Sequence, residues 1–228
     1  MNHLPGLDLL RAWAITWTAL YHAALFGLLC VQVFSQAPAK SSLEEVTADM
    51  PPITTSAFSV TPPKGENWVY FQRPMPPFVT FRKQDPLIRR LPGSEHLAFV
   101  VEIRLEHFPD SDLSTQEGLE ETLKSSLYSA LVEGRQIGMF RAESFAWQGT
   151  DCLSYIVTRS DLVTLDREKI VLEFATEGFF CRHPLDRQRV VSGLFQERRL
   201  AGTPSWLDDV LRDEAQRTLQ SVRFLPEY

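Results

Sequence analysis

Two cysteines and a histidine are the side chains in the second half of the chain that are best suited to chemistry. Cys152 lies in the stretch DCLSY, and Cys181 stands two residues before His183 in FFCRHP. If the cysteines are oxidised to each other, the disulfide closes a loop of about thirty residues and stabilises the fold by roughly 3–4 kcal/mol. An even pair of cysteines outside the cytoplasm favours this interpretation, so we predict the disulfide.

Three other interpretations of these residues stay open. The cysteines could be small buried core residues. With His183 they could bind zinc, although zinc sites usually contain closer ligand pairs and a fourth ligand. A cysteine and the histidine could form a nucleophile with its base. Two residues that are two apart on a strand lie on the same face, but this placement alone does not bring their side chains into contact. We therefore predict no metal site and no cofactor.

A second pair of polar residues, Arg11 and His22, lies in an apolar N-terminal segment. No side chain from Ala12 to Phe34 carries a formal charge. This uncharged segment is long enough to form a helix that spans a bilayer. The small residues of APA at 37–39 suit a signal peptidase, whereas Cys30 follows a leucine, which gives lipidation little support. We predict that residues 1–39 are a signal peptide or a membrane anchor, which places the domain in the periplasm, free or held at the inner membrane.

Residues 6–27, which begin with GLDLLRAWAITWTALYHA, resemble the first transmembrane helix of the acyltransferase 3 family, whose members move acyl groups onto envelope sugars. In that family an arginine is followed eleven positions later by a histidine, as Arg11 is by His22. The resemblance implies that His22 could be a general base, a role that needs an assembled site around it. No second apolar run of membrane length follows. Three origins stay open: an export signal or anchor, a helix that docks with an acyltransferase complex, and a misplaced gene start.

The composition excludes some classes of function. The chain has 228 residues and a formal net charge of −6, whereas nucleic-acid binding needs a clustered basic surface. Its arginine pairs, at 89–90 and 198–199, are short and isolated, so we predict no nucleic-acid partner. The sequence contains no Gly-rich phosphate loop, no G-x-S-x-G elbow and no H-E-x-x-H helix, so it does not indicate catalysis.

The domain plan follows from a change of composition. Residues 40–64 are rich in proline, serine and threonine, which predicts an extended spacer. Residues 65–228 have a regular apolar pattern, which predicts a folded domain. Strands are predicted at 66–72, 77–83, 96–108, 137–147, 151–160, 169–181 and 189–199, and helices at 114–134 and 205–224. Short gaps between the later strands favour hairpins, so the fold class is α+β, an antiparallel sheet packed with helices.

An aromatic-rich stretch covers the first two of these strands. Core packing is the default interpretation, and the alternative is a groove for a hydrophobic ligand or partner. The residues concerned are Trp68, Tyr70, Phe71, Phe78 and Phe81.

Residues 65–225 also resemble a group of uncharacterised bacterial envelope proteins and lipoproteins. The resemblance rests on a tryptophan strand near the start, on DCLSY and GFFCRHP, and on a terminal helix that ends in LQSVRF. It implies a PsbP-like α/β/α sandwich, preceded here by the apolar helix. We expect a binding or scaffolding domain of the cell envelope, with the membrane and an envelope protein as partners. The alternative is an accessory subunit, or a truncated relative, of an acyltransferase 3 complex.

Overall fold

The computed structural model describes residues 43–84, 97–129, 135–165, 168–205, 207 and 209–225. The predicted leader at 1–39, with Arg11, His22 and Cys30, lies outside the described residues. No helix within the described ranges is both long enough and apolar enough to cross a membrane.

The described residues form short strands first, then longer strands interrupted by one helix, and a second helix near the end. The strands are β1 (Glu44–Glu45), β2 (Ile53–Thr54), β3 (Phe58–Val60), β4 (Trp68–Arg73), β5 (Phe78–Lys83), β6 (Ala98–His107), β7 (Gln136–Trp147), β8 (Thr150–Leu165), β9 (Glu168–Arg182), β10 (Arg189–Leu200) and β11 (Arg223–Phe224). The helices are α1 (Gln116–Ser129) and α2 (Asp209–Gln220).

Most of the strands belong to one eight-stranded sheet with the order β1-β4-β5-β6-β10-β9-β8-β7. Each pairing within it is antiparallel. Strands β7 to β10 follow one another as hairpins, as their short connections predict. The predicted fold class, an antiparallel sheet with helices, is confirmed.

The two faces of the large sheet are covered differently, because successive side chains of a strand point to opposite faces. On β9, Phe180 packs with Leu119 and Leu123 of α1, whereas Phe179 packs with Leu219 of α2. We call these the α1 face and the α2 face. The second sheet, with the order β11-β3-β2, contributes to the same core as α2.

The prediction of a spacer at 40–64 is wrong for residues 43–64. Ile53, Phe58 and Val60 are buried in the core of the α2 face, and β3 pairs with β11 close to the other end of the chain. The prolines lie between the short strands and leave their ladder hydrogen bonds intact. Strand β1 also pairs with β4, so the folded domain begins no later than Glu44.

Ser114 and Glu117 have the spacing of a capping box, which predicts Ser114 as the N-cap, but helix α1 begins one residue later, at Gln116. The Oγ1 of Thr115 accepts a hydrogen bond of 3.0 Å from the Gly118 N–H, so Thr115 is the N-cap. Ser114 instead donates its N–H to the Asp112 carboxylate at 2.9 Å.

Candidate functional site

A groove of about 530 Å³ lies on the α2 face, between α2 and the outer strands β7, β8 and β9. The register of these strands sets its floor. Arg141, Ile156 and Glu177 form one row across the sheet, and Glu143, Ser154 and Phe179 form the next. Gln216, Leu219 and Gln220 of α2 form the opposite wall.

The floor of the groove is apolar and partly open to solvent. Phe145 is 38% exposed and Ile156 is 39% exposed, although both are large apolar side chains. The Trp147 ring meets Phe179 edge to face at 4.9 Å between centroids, and it meets Phe224 at 5.3 Å. A ligand that covered Phe145 and Ile156 would remove apolar surface from water, which is the main favourable term in binding.

Gly193 of β10 leaves room for the Phe179 ring in the floor of the groove. Gly193 lies opposite Phe179 in the ladder of β10 and β9. A Cβ atom at Gly193 would lie only 2.6 Å from Cζ of Phe179, so a larger residue would displace the ring. Leu219 of α2 also lies close to Gly193. Gly193, Phe179 and Leu219 therefore form a contact between the sheet and the helix.

Charged and amide side chains form the rim. Glu177 pairs with Arg212 of α2 at 3.3 Å. Arg141 and Glu143 are exposed, and neither side chain forms an ion pair with another described residue. The groove thus offers an apolar floor together with carboxylate, guanidinium and amide groups at its edge, which is the usual make-up of a small-ligand site.

The predicted disulfide between Cys152 and Cys181 is present and buried on the α2 face. The two residues lie directly opposite each other in the ladder of β8 and β9. Because the thiolate is the form that attacks or binds metal, cysteines joined in this way are neither nucleophile nor zinc ligand. Beyond them, His183 is buried, and its Nδ1 accepts the N–H of Leu185 at 3.3 Å.

The predicted aromatic groove at 68–81 is not one site. Trp68 and Phe81 are buried in the core of the α2 face, and Tyr70 packs against that core. Phe71 and Phe78 lie on the α1 face with their ring centroids 6.4 Å apart. Residues an odd number apart along a strand point to opposite faces, which separates Trp68 from Phe71.

Sequence reasoning did not find the groove beside α2. One signal was available in β7, where Arg141, Glu143, Phe145 and Trp147 alternate on one face. Such a stripe mixes charged and aromatic residues, which is unusual for a core-facing pattern. The partners on β8, β9 and α2 become apparent only with the strand register.

The chain aligns with two solved structures. No protein-family model and no curated protein matches the sequence. Cyanobacterial PsbP (CyanoP) from Synechocystis sp. PCC 6803 aligns with a TM-score of 0.39 and 12% identity, over 83% of this chain and 96% of that one. LpqN of Mycobacterium tuberculosis, which is involved in cell envelope biogenesis, aligns with a TM-score of 0.37 and 13% identity, over 81% and 91%. At these values no residue role passes from either protein to this chain.

Proposed function

We propose that this chain is a non-catalytic binding domain of the bacterial cell envelope, with a PsbP-like sandwich as its scaffold. Its ligand site is the groove between α2 and strands β7 to β9. One observation carries the proposal: Phe145 and Ile156 are large and exposed, and both line the same concave surface as Phe179.

The chemistry of the groove favours an amphiphilic ligand. An acyl chain or another apolar group would lie over Ile156 and Phe179. Its polar group would meet Arg141, Glu143 or the amides of Gln216 and Gln220 at the rim. Binding of this kind needs no reacting group, and the protein contributes a preformed surface and an orientation.

The disulfide supports a place outside the cytoplasm. Structural disulfides persist in oxidising compartments such as the bacterial periplasm and are rare in the cytosol. Export by the segment at 1–39, with or without its retention as an anchor, completes this part of the proposal.

Binding of the naphthalene sulfonate dye ANS to the full chain tests the proposal. We expect Ile156→Thr to weaken dye binding about tenfold, since it removes apolar area from the floor. Val171→Thr is the matched control, because Val171 is 38% exposed on the same sheet face and lies outside the groove. It should leave the dye affinity unchanged.

Cooperative thermal unfolding of both variants must accompany the titration, because loosely packed states also bind ANS. Equal weakening by both substitutions, or no change with Ile156→Thr, would contradict the groove as the binding site. Binding that resists both substitutions would place the dye elsewhere on the protein.

A further inference from the structure

Strand β7 ends the large sheet, and its outer edge meets no other strand among the described residues. An edge of this length presents a row of backbone N–H and C=O groups that can pair with another chain. On its α2 face, two exposed apolar side chains lie on either side of a charged pair. Met139 is 40% exposed and Phe145 is 38% exposed, and Arg141 and Glu143 lie between them.

We propose that β7 pairs with β7 of a second copy of this chain. The two strands would run antiparallel about a two-fold axis that passes midway between the two Ala142 residues. Each Arg141 then lies opposite Glu143 of the second copy, and each Met139 lies opposite Phe145 of the second copy. Such an interface is isologous, since the same residues meet from both sides.

Charge complementarity selects this arrangement. A charged residue on an edge strand normally opposes pairing. Here the opposite charges stand two residues apart on one face, so an antiparallel pair centred between them places unlike charges together. A parallel in-register pair would instead place Arg141 against Arg141 and Glu143 against Glu143. Directly opposed unlike charges stabilise a cross-strand pair, and like charges destabilise it.

The apolar residues fall into the same register. Met139 and Phe145 lie at equal distances from Ala142 along the strand, so the axis that pairs the charges also pairs these two side chains. Both are exposed in the single chain and would become covered. The register shift between Ile137 and Phe140 in the ladder of β7 and β8 includes Met139. Regular pairing with the second copy therefore extends from Phe140 to Ser144, and the contact of Met139 with Phe145 flanks it.

The pairing has a consequence for the groove. A two-fold axis perpendicular to the sheet keeps both α2 faces on the same side, so the two grooves meet at the junction of the strands. Phe145 lines the groove of its own chain, and Met139 of the second copy would extend that lining. The dimer itself does not depend on what the groove binds.

Charge swaps test the pairing in the full chain, with mass in solution measured by sedimentation equilibrium. The wild-type chain should be a dimer. Arg141→Glu and Glu143→Arg should each weaken dimerisation roughly tenfold to a hundredfold, because either one replaces two unlike pairs with two like pairs. The double variant Arg141→Glu/Glu143→Arg should restore the dimer, since it exchanges the charges and keeps every opposed pair unlike.

Two reversals elsewhere serve as controls. Glu121→Arg on α1 and Lys169→Glu on β9 change the net charge by the same amount at exposed positions and should leave the dimer intact. A monomeric wild-type chain would overturn the proposal, as would a dimer that survives both single reversals. Failure of the double swap to restore the dimer would also overturn the self-pairing.

Discussion

Cys152 and Cys181 lie directly opposite each other on β8 and β9, with their Cα atoms 4.1 Å apart. The disulfide between them is buried in the same core as Trp68, Phe179 and Leu219. It joins two of the three strands that form the groove floor. The stability of the groove and the oxidation state of the protein are therefore linked.

Replacing both cysteines with alanine should destabilise the domain by about 3 kcal/mol, because the unfolded chain regains the freedom of the closed loop. Urea unfolding of the double variant, compared with wild type, measures this loss. Wild-type protein reduced with a small thiol should give the same midpoint as the double variant. An unchanged midpoint in both cases would contradict a structural role for the disulfide.

A second prediction concerns Glu214 on α2, which accepts the indole N–H of buried Trp68 at 2.9 Å and pairs with Lys83 at 3.1 Å. Glu214→Ala leaves that N–H without its acceptor and should cost about 2 kcal/mol of unfolding free energy. Asp213→Ala is the control from the same helix, and its exposed pair with Arg217 should cost at most about 0.5 kcal/mol. Similar losses of unfolding free energy from the two variants would show that the hydrogen bond to Trp68 contributes no more than the exposed ion pair does.

A third prediction concerns pH. Arg135 donates two hydrogen bonds, of 2.8 and 2.9 Å, to the carboxylate of buried Asp161. These hydrogen bonds, assisted by the charge of Arg159, hold the pKa of Asp161 below its ordinary value of 3.8. The pKa is lower in the folded protein than in the unfolded chain. The contribution of the Asp161 carboxylate to the free energy of unfolding is therefore complete above about pH 4, and it is lost as the pH falls through the folded-state pKa.

Urea unfolding at a series of acidic pH values measures this dependence. Asp161→Asn should lower stability at neutral pH by about 3 kcal/mol, because it removes the carboxylate from a buried pair. It should also flatten the decline of stability in acid. An Asn variant that keeps the wild-type slope below pH 4 would show that Asp161 contributes nothing to it.

The longer elements were predictable from the sequence to within a few residues. In β6, buried Val101, Ile103 and Leu105 alternate with charged Glu102, Arg104 and Glu106, which is an unambiguous strand pattern. Helix α2 has a comparable stripe, in which Ala215 and Leu219 are buried. Local periodicity is enough for such elements, because each one buries a single face.

The first part of the domain was not predictable in this way. Strands β2 and β3 are only two and three residues long, too short for a period to emerge, and proline-rich stretches surround them. Their place depends on distant contacts, such as the 2.8 Å hydrogen bond from the Thr61 N–H to Ser221 Oγ. The groove was not predictable for a similar reason, because its lining depends on the register of three strands and on the position of a helix.

Backbone amide chemical shifts, recorded while a short-chain phospholipid is titrated below its micelle concentration, test the central claim most directly. If the groove beside α2 is the ligand site, the largest shifts should fall on Phe145, Ile156, Phe179 and Gln216. Amides of β4 and β5 should move little. Shifts concentrated on other parts of the described chain, or no saturable shifts at all, would contradict the account.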